Sequence, residues 1–172
     1  MVLLSPVDGP PQFVQATGDG IRNIYPGHYT IQATGGLAKS YVESIRLGDM
    51  EIYGRPFELW DGSQPIHITI RQGGPYIRGN IENAGAATVV VVEADEAVTA
   101  NPSRSYQPGG SRFDIGPLRP GEYYVFAVDR PAPLNFTPEI LRALLARAEK
   151  VHLDKDGGAM VTLKAVPWPD SQ

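Results

Sequence analysis

Cysteine is absent from this chain of 172 residues, and that absence excludes several kinds of chemistry. Without a thiol there is no disulfide, no thiolate metal site and no cysteine nucleophile. Histidine is scarce as well, and His28, His67 and His152 show neither a His-x-x-Glu nor a His-Glu-x-x-His spacing. No Gly-x-Ser-x-Gly segment marks a serine nucleophile. We therefore predict a non-enzymatic protein without catalytic residues and without a cofactor.

An excess of basic residues and a long apolar run are also missing. The 15 Lys and Arg residues are outnumbered by 19 Asp and Glu residues, which gives a formal net charge of −4. A chain of this charge has little to attract it to phosphate backbones, so we predict no nucleic-acid partner. No segment is long and apolar enough to span a bilayer, and Met1–Pro6 lacks the basic and apolar regions of a signal peptide. We predict no membrane insertion.

The chain does contain a repeated turn motif, Pro-Gly-x-Tyr, which occurs once in each half. Pro26-Gly27-His28-Tyr29 and Pro120-Gly121-Glu122-Tyr123 are both preceded by apolar residues at the same spacing. Proline fixes φ, glycine permits a sharp reversal, and a strand-like segment follows each time. We interpret these motifs as structural corners of two related β modules. The predicted corner residues are Pro26, Gly27, Tyr29, Pro120, Gly121 and Tyr123.

The remaining segments predict an all-β chain of two tandem, small antiparallel β-sandwiches. The first module spans residues 1–72 and the second spans 76–167, with 168–172 as a tail. Thr88–Glu93 is a valine run that should be buried on both faces, and Ile66–Arg71 alternates with its isoleucines inward. Thr137 caps one short helix, predicted over 138–150 in the second module.

Several segments together resemble carboxypeptidase regulatory-like domains. They are Asp19–Tyr29, Tyr41–Gly48, Gly79 with the valine strand, Phe113–Tyr123 and the late helix. These domains are transthyretin-like β-sandwiches, found as tandem modules in large secreted or envelope proteins of bacteria. The resemblance implies an extracytoplasmic structural or adhesive segment of a longer precursor, whose targeting signal lies upstream. It does not imply peptidase activity, because the shared motif is a folding device.

The first module departs from this pattern at its beginning. Such modules open with an apolar-x-Gly-x-apolar strand, which Ile77-Arg78-Gly79-Asn80-Ile81 supplies for the second module. The first module has no counterpart before Val2, and we predict that its opening strand is missing. A sheet without that strand has an exposed edge, which invites a protein partner or self-association. Spacing, assembly or protein contact is therefore the predicted function.

Two groups of acidic residues are the candidates for a cation site. Asp154-x-Asp156-Gly157 is similar to the start of a calcium loop, but Ala165 stands where a bidentate glutamate is required. A hairpin turn explains that segment better. Glu93, Asp95 and Glu96 form a second acidic cluster at a strand end. We predict no metal site and retain Asp154, Asp156, Glu93 and Asp95 as the candidates to check.

Aromatic residues support an alternative function, a carbohydrate-binding module that contacts a polysaccharide. The aromatic candidates are Trp60, Tyr53, Tyr25, Tyr106 and Trp168, of which Trp60, Tyr53 and Tyr106 are the predicted platform, because exposed rings stack on the apolar faces of sugars. Kinship of the fold with starch-binding-like domains motivates this alternative. The competing interpretation is that the large aromatic residues belong to the core, where they are mostly found.

Overall fold

The computed structural model describes residues 2–9, 12–14, 24–33, 39–83, 85–96, 104–131, 134 and 136–169. The Asp19-Gly20 turn and residues 170–172 of the predicted tail lie outside this set. The chain divides into two compact units, Met1–Gly73 and Gly74–Gln172. The prediction of an all-β chain is confirmed, and the described residues contain one short α-helix.

The first unit consists of two antiparallel sheets. Its strands are β1 (Val2–Pro6), β2 (Gln12–Val14), β3 (Gly27–Ala33), β4 (Ser40–Leu47), β5 (Met50–Glu51), β6 (Phe57–Leu59) and β7 (Ile66–Gln72). One sheet has the order β2-β1-β3-β6 and the other has the order β5-β4-β7. Leu4, Ile31 and Phe57 of the first sheet pack against Ile45 and Leu47 of the second. These contacts form a single core between two layers, as in a sandwich.

An irregularity in β4 affects the edge of this core. The register with β7 shifts between Val42 and Ser44, so that Val42 pairs with Ile70 and Ile45 pairs with Ile68. Ile68 packs against the core, whereas Ile70 is 43% exposed. The prediction that all three isoleucines of β7 point inward is therefore wrong for Ile70, which lies beyond the shifted register on an edge strand.

The second unit also has two sheets. Its strands are β8 (Tyr76–Ile81), β9 (Thr88–Glu93), β10 (Arg104–Tyr106), β11 (Arg112–Ile115), β12 (Gly121–Val128), β13 (Glu149–Leu153), β14 (Gly158–Leu163) and β15 (Ala165–Val166). The larger sheet runs β10-β9-β12-β13, with β15 beside β12, and the smaller runs β11-β8-β14. Strand β14 is parallel to β8, and β15 is parallel to β12.

The valine run in β9 is buried on both faces, as predicted. Val89 and Val91 belong to the core between the two sheets of this unit. Val90 and Val92 face the opposite way and pack beneath the helix α1 (Pro138–Leu145). All four side chains have no solvent exposure. A strand covered on both sides has no wet face, which is why its sequence does not alternate.

The helix is shorter than predicted. Thr137 caps it as expected, since its Oγ1 accepts a hydrogen bond from the Ile140 amide at 3.3 Å. The predicted end at residue 150 is wrong, because the helix ends at Leu145 and β13 begins at Glu149. Glu149 and the residues after it pair with β12, and that ladder replaces further helical hydrogen bonds. Within the described part of the chain, no helix has the length and apolar content needed to cross a membrane.

The prediction that residues 168–172 form a tail is wrong for Trp168, which packs against the second unit. The Trp168 amide donates to Oδ1 of Asp129 at 3.0 Å, and its ring meets that of Phe136 edge to face at 5.3 Å. Arg130 lies over the Trp168 ring at 5.6 Å. Trp168 therefore belongs to the cluster that covers the helix-bearing face of the larger sheet. Partial burial of its large ring against this cluster provides the reason.

The corner strands occupy central positions in both units. Strand β3 lies between β1 and β6, and β12 lies between β9 and β13. The smaller sheets differ, because the central strand is β8, the first of its unit, in one case and β4 in the other. In the smaller sheet of the first unit the central strand is therefore β4, which comes after the corner in the chain. The longer edge strand of that sheet is β7.

Gly79 explains the apolar-x-Gly-x-apolar pattern of β8. A β-carbon at this position would lie 2.0 Å from the Val161 carbonyl oxygen and 2.8 Å from Cζ of Phe113. Strands β11 and β14 both pair with Gly79, so the space is closed from two sides. Only a residue without a side chain permits this close approach.

We expect Gly79→Ala to lower the free energy of unfolding by roughly 1–3 kcal/mol, because a backbone carbonyl must move to admit the methyl group. Gly109→Ala is the matched control, since a β-carbon there meets nothing within 4 Å. The control should change stability by less than about 0.5 kcal/mol. Urea unfolding of both variants is the measurement, and equal stabilities would contradict this role of Gly79.

Candidate functional site

The two corner tyrosines are structural and make the same hydrogen bond. The Tyr29 hydroxyl donates to the carbonyl oxygen of Tyr25 at 2.8 Å, and the Tyr123 hydroxyl donates to that of Arg119 at 2.7 Å. Both acceptors lie four residues before the tyrosine, and both rings are buried. In the second unit the Tyr123 hydroxyl also lies 2.8 Å from Oε1 of Glu93. These residues hold the corners in place and are not accessible to a ligand.

The acidic candidates do not assemble into a cation site. Glu93 is 8% exposed and contacts the corner tyrosine, whereas Asp95 is exposed in the short 3-10 turn that follows. Asp154 and Asp156 lie in an exposed turn closed by the bond from the Gly157 amide to the Asp154 carbonyl oxygen at 3.1 Å. Among the residues described, no three His, Asp or Glu side chains are grouped as metal ligands.

Four charged side chains do meet on the exposed face of β12 and β13. His152 Nδ1 lies 2.5 Å from Glu122 Oε1, and Lys150 Nζ lies 3.3 Å from Glu122 Oε2. Asp154 Oδ1 is 3.4 Å from Nε2 of the same histidine. The hydrogen bond to Glu122 raises the pKa of His152, and the hydrogen bonds from His152 and Lys150 lower the pKa of Glu122. All four groups are solvated, so salt screens them.

The predicted glycan platform is not assembled as a unit. Trp60 follows β6 in the first unit and is 55% exposed. Tyr53 belongs to the same unit but packs against its core. Tyr106 ends β10 in the second unit. The residue that accompanies Trp60 is Tyr25, which is 75% exposed and lines the same cleft.

This cleft lies between the two sheets of the first unit and has a volume of about 390 Å³. It is bounded by strands β1, β3 and β6 on one side and β7 on the other. Its lining is mostly aliphatic and aromatic, and consists of Val2, Ile24, Tyr25, Pro26, Ile31, Leu59, Trp60, Asp61, Ser63, Gln64, Pro65, Ile66 and Ile68. Concave, largely apolar spaces of roughly 300–1,000 Å³ are typical of ligand sites.

The rim of the cleft is held by local hydrogen bonds. The Trp60 amide donates to Ser63 Oγ at 2.9 Å, and the Ser63 amide donates to the Trp60 carbonyl oxygen at 3.0 Å. Gly62 completes this turn with φ of +88°, a conformation that favours glycine. Trp60 and Asp61 are therefore presented by a closed turn.

Gln64 and Pro65, the two residues after this turn, contact the hairpin between β4 and β5. The Gly48 amide donates to the Pro65 carbonyl oxygen at 3.3 Å. The Gln64 side chain covers Gly48 so closely that a β-carbon there would lie 1.9 Å from Gln64 Oε1. From the sequence alone, Asp61-Gly62 is recognisable as a turn, but several residues that complete the cleft, such as Val2 and Ile31, are distant from it in the chain.

The ion-pair cluster leads to a prediction on pH. His152 has a raised folded pKa, so its stabilisation is complete below its ordinary value of 6.5 and is lost as pH rises through the folded value. Glu122 has a lowered pKa, so its stabilisation is complete above 4.5 and is lost as pH falls through the folded value. Both contributions are fully present between 4.5 and 6.5.

An NMR titration of His152 checks this prediction. Glu122→Gln should lower the histidine pKa more than Asp154→Asn does, because the Glu122 hydrogen bond is the largest cause of the shift. Added salt should weaken the shift in the wild-type protein. A His152 pKa that does not respond to Glu122→Gln would contradict the assignment.

The chain matches no family model, no curated protein and no solved structure.

Proposed function

We propose that this chain is a non-enzymatic assembly segment that makes protein contacts through strand β7 of the first unit. The observation that carries the proposal is the length of that edge. Strand β7 has seven residues and, within the described part of the chain, pairs on one side only, with β4. The other edge strands of the unit, β2, β5 and β6, have two or three residues. A long edge accepts a further strand through its free backbone groups.

The side chains of β7 are compatible with such a contact. Ile70 is exposed and offers apolar surface to a neighbouring strand. Arg71 forms an ion pair with Glu43 of β4, so its charge is balanced within the sheet. An unbalanced charge on an edge strand would oppose strand addition. No proline interrupts the strand.

The resemblance to carboxypeptidase regulatory-like domains supports an extracytoplasmic setting, in which the chain is a structural or adhesive part of a bacterial protein. The strand paths β2-β1-β3-β6 and β10-β9-β12-β13 support a relationship between the units, since each places a Pro-Gly-x-Tyr strand third. We include in this proposal that the two units are transthyretin-like modules in tandem.

We expect the wild-type chain to associate as its concentration rises and Ile70→Lys to weaken that association at least roughly tenfold. A lysine at this edge position places a charge where the added strand would pack. Ile70 is half exposed, so the substitution should leave the fold intact. Sedimentation velocity over a wide concentration range is the measurement.

Met160→Lys is the matched control for this experiment. Met160 is 76% exposed on β14, an edge strand of the second unit. The control should associate like the wild type. A wild-type chain that remains an 18.6 kDa monomer at every concentration would count against self-association, and equal loss in both variants would show that β7 is not the contact.

Carbohydrate binding is the second candidate, and one observation favours it. Trp60 and Tyr25 are both exposed and both line the cleft. Their rings are available for stacking on a pyranose, and Asp61, Ser63 and Gln64 lie beside them to contact hydroxyl groups.

A glycan screen with the intact chain checks this candidate. Binding should be saturable and should fall at least roughly tenfold in Trp60→Ala, because stacking on the indole supplies much of the contact. Tyr106→Ala is the control, since Tyr106 is exposed but belongs to the other unit. Absence of binding, or equal binding by Trp60→Ala, would rule out this use of the cleft.

A further inference from the structure

We infer that the cleft of the first unit is a binding site for a small organic cation with an apolar body. The inference is independent of the β7 contact, because Ile70 does not line the cleft. Three features of the cleft lead to it: an apolar interior, two exposed aromatic rings at the mouth, and one negative charge.

The interior is suited to a hydrocarbon group. Val2, Ile24, Leu59, Ile66 and Ile68 line the cleft and are only partly buried, although they pack against the core. Their exposed surface would be removed from water by an apolar ligand, and each Å² so buried contributes about 25 cal/mol. A sugar would leave many hydroxyl groups without partners against these side chains. The interior therefore favours a ligand whose body is apolar.

The aromatic residues at the cleft differ from the corner tyrosine of the same unit. Tyr29 is buried and its hydroxyl is bonded to the backbone, whereas Trp60 is 55% exposed and Tyr25 is 75% exposed. The faces of exposed indole and phenol rings attract cations, tryptophan most strongly. Two such rings lining one apolar cleft favour a ligand that ends in a positive charge.

Asp61 supplies the negative charge. Among the described residues that line the cleft it is the only charged one, and it forms no ion pair within the described part of the chain. It adjoins Trp60 in the closed turn that ends at Ser63. A cation near Trp60 would thus meet both the indole and the carboxylate, while an anion would be repelled. The turn holds these groups before the ligand arrives, which reduces the entropy lost on binding.

Three probes with the same phenyl ring and different end groups test this inference: 2-phenylethylammonium, 2-phenylethanol and phenylacetate. A ¹H–¹⁵N spectrum of the full chain resolves the indole signals of its two tryptophans. The Trp60 signal should shift in a saturable manner and the Trp168 signal should not, since Trp168 does not line the cleft. The cation should bind roughly threefold to thirtyfold more tightly than the alcohol, and the anion most weakly.

Asp61→Asn separates the charge from the shape of the cleft. It should weaken 2-phenylethylammonium binding and leave 2-phenylethanol binding unchanged, with the remaining preference for the cation due to the aromatic rings, whereas Asp49→Asn, which removes an exposed carboxylate of the same unit outside the cleft, should change neither. Equal affinities for cation and alcohol in the wild-type chain would overturn the inference. So would the absence of a saturable Trp60 shift, or a shift caused by oligosaccharides and by none of the three probes.

Discussion

The hydrogen bond from each corner tyrosine to a carbonyl oxygen four residues earlier is the constraint on which both units depend. A buried hydroxyl without a partner costs about 1–3 kcal/mol, so the loop before each corner must bring its carbonyl oxygen to the ring. Tyr29 meets Tyr25 in this way and Tyr123 meets Arg119. The strands that follow, β3 and β12, are flanked on both sides in their sheets. The corner therefore sets both the entry of the central strand and the position of the residues just before it.

That constraint also shapes the cleft of the first unit. Tyr25 accepts the hydrogen bond from Tyr29 through its backbone carbonyl oxygen, and its own side chain is exposed and lines the cleft. In the second unit the equivalent acceptor is Arg119, and its corner tyrosine contacts Glu93. The same backbone device thus presents different side chains in the two units. The corner has the same structural role in both units, and in the first unit its residues Tyr25 and Pro26 also line the cleft.

The edge strands of the first unit differ in length. The short strands β2, β5 and β6 offer few free backbone groups, while β7 offers a long run of them. Our two proposals use different parts of this strand, since Ile66 and Ile68 line the cleft and Ile70 faces solvent beside the outer edge. The shifted register opposite Val42 marks the point where these two environments meet.

The sequence by itself determined the features that depend on local geometry and on burial of apolar side chains. It predicted the all-β class, the buried valine strand from its continuous β-branched run, and the cap at Thr137 from its hydroxyl before Pro138. Tertiary structure alone decided where the helix ends, because pairing of Glu149 with β12 overrides helical pattern. It also decided that Trp168 packs, that Ile70 is exposed, and that Trp60 shares a cleft with Tyr25 rather than with Tyr53 or Tyr106. These outcomes depend on contacts between residues distant in the chain, which no local pattern encodes.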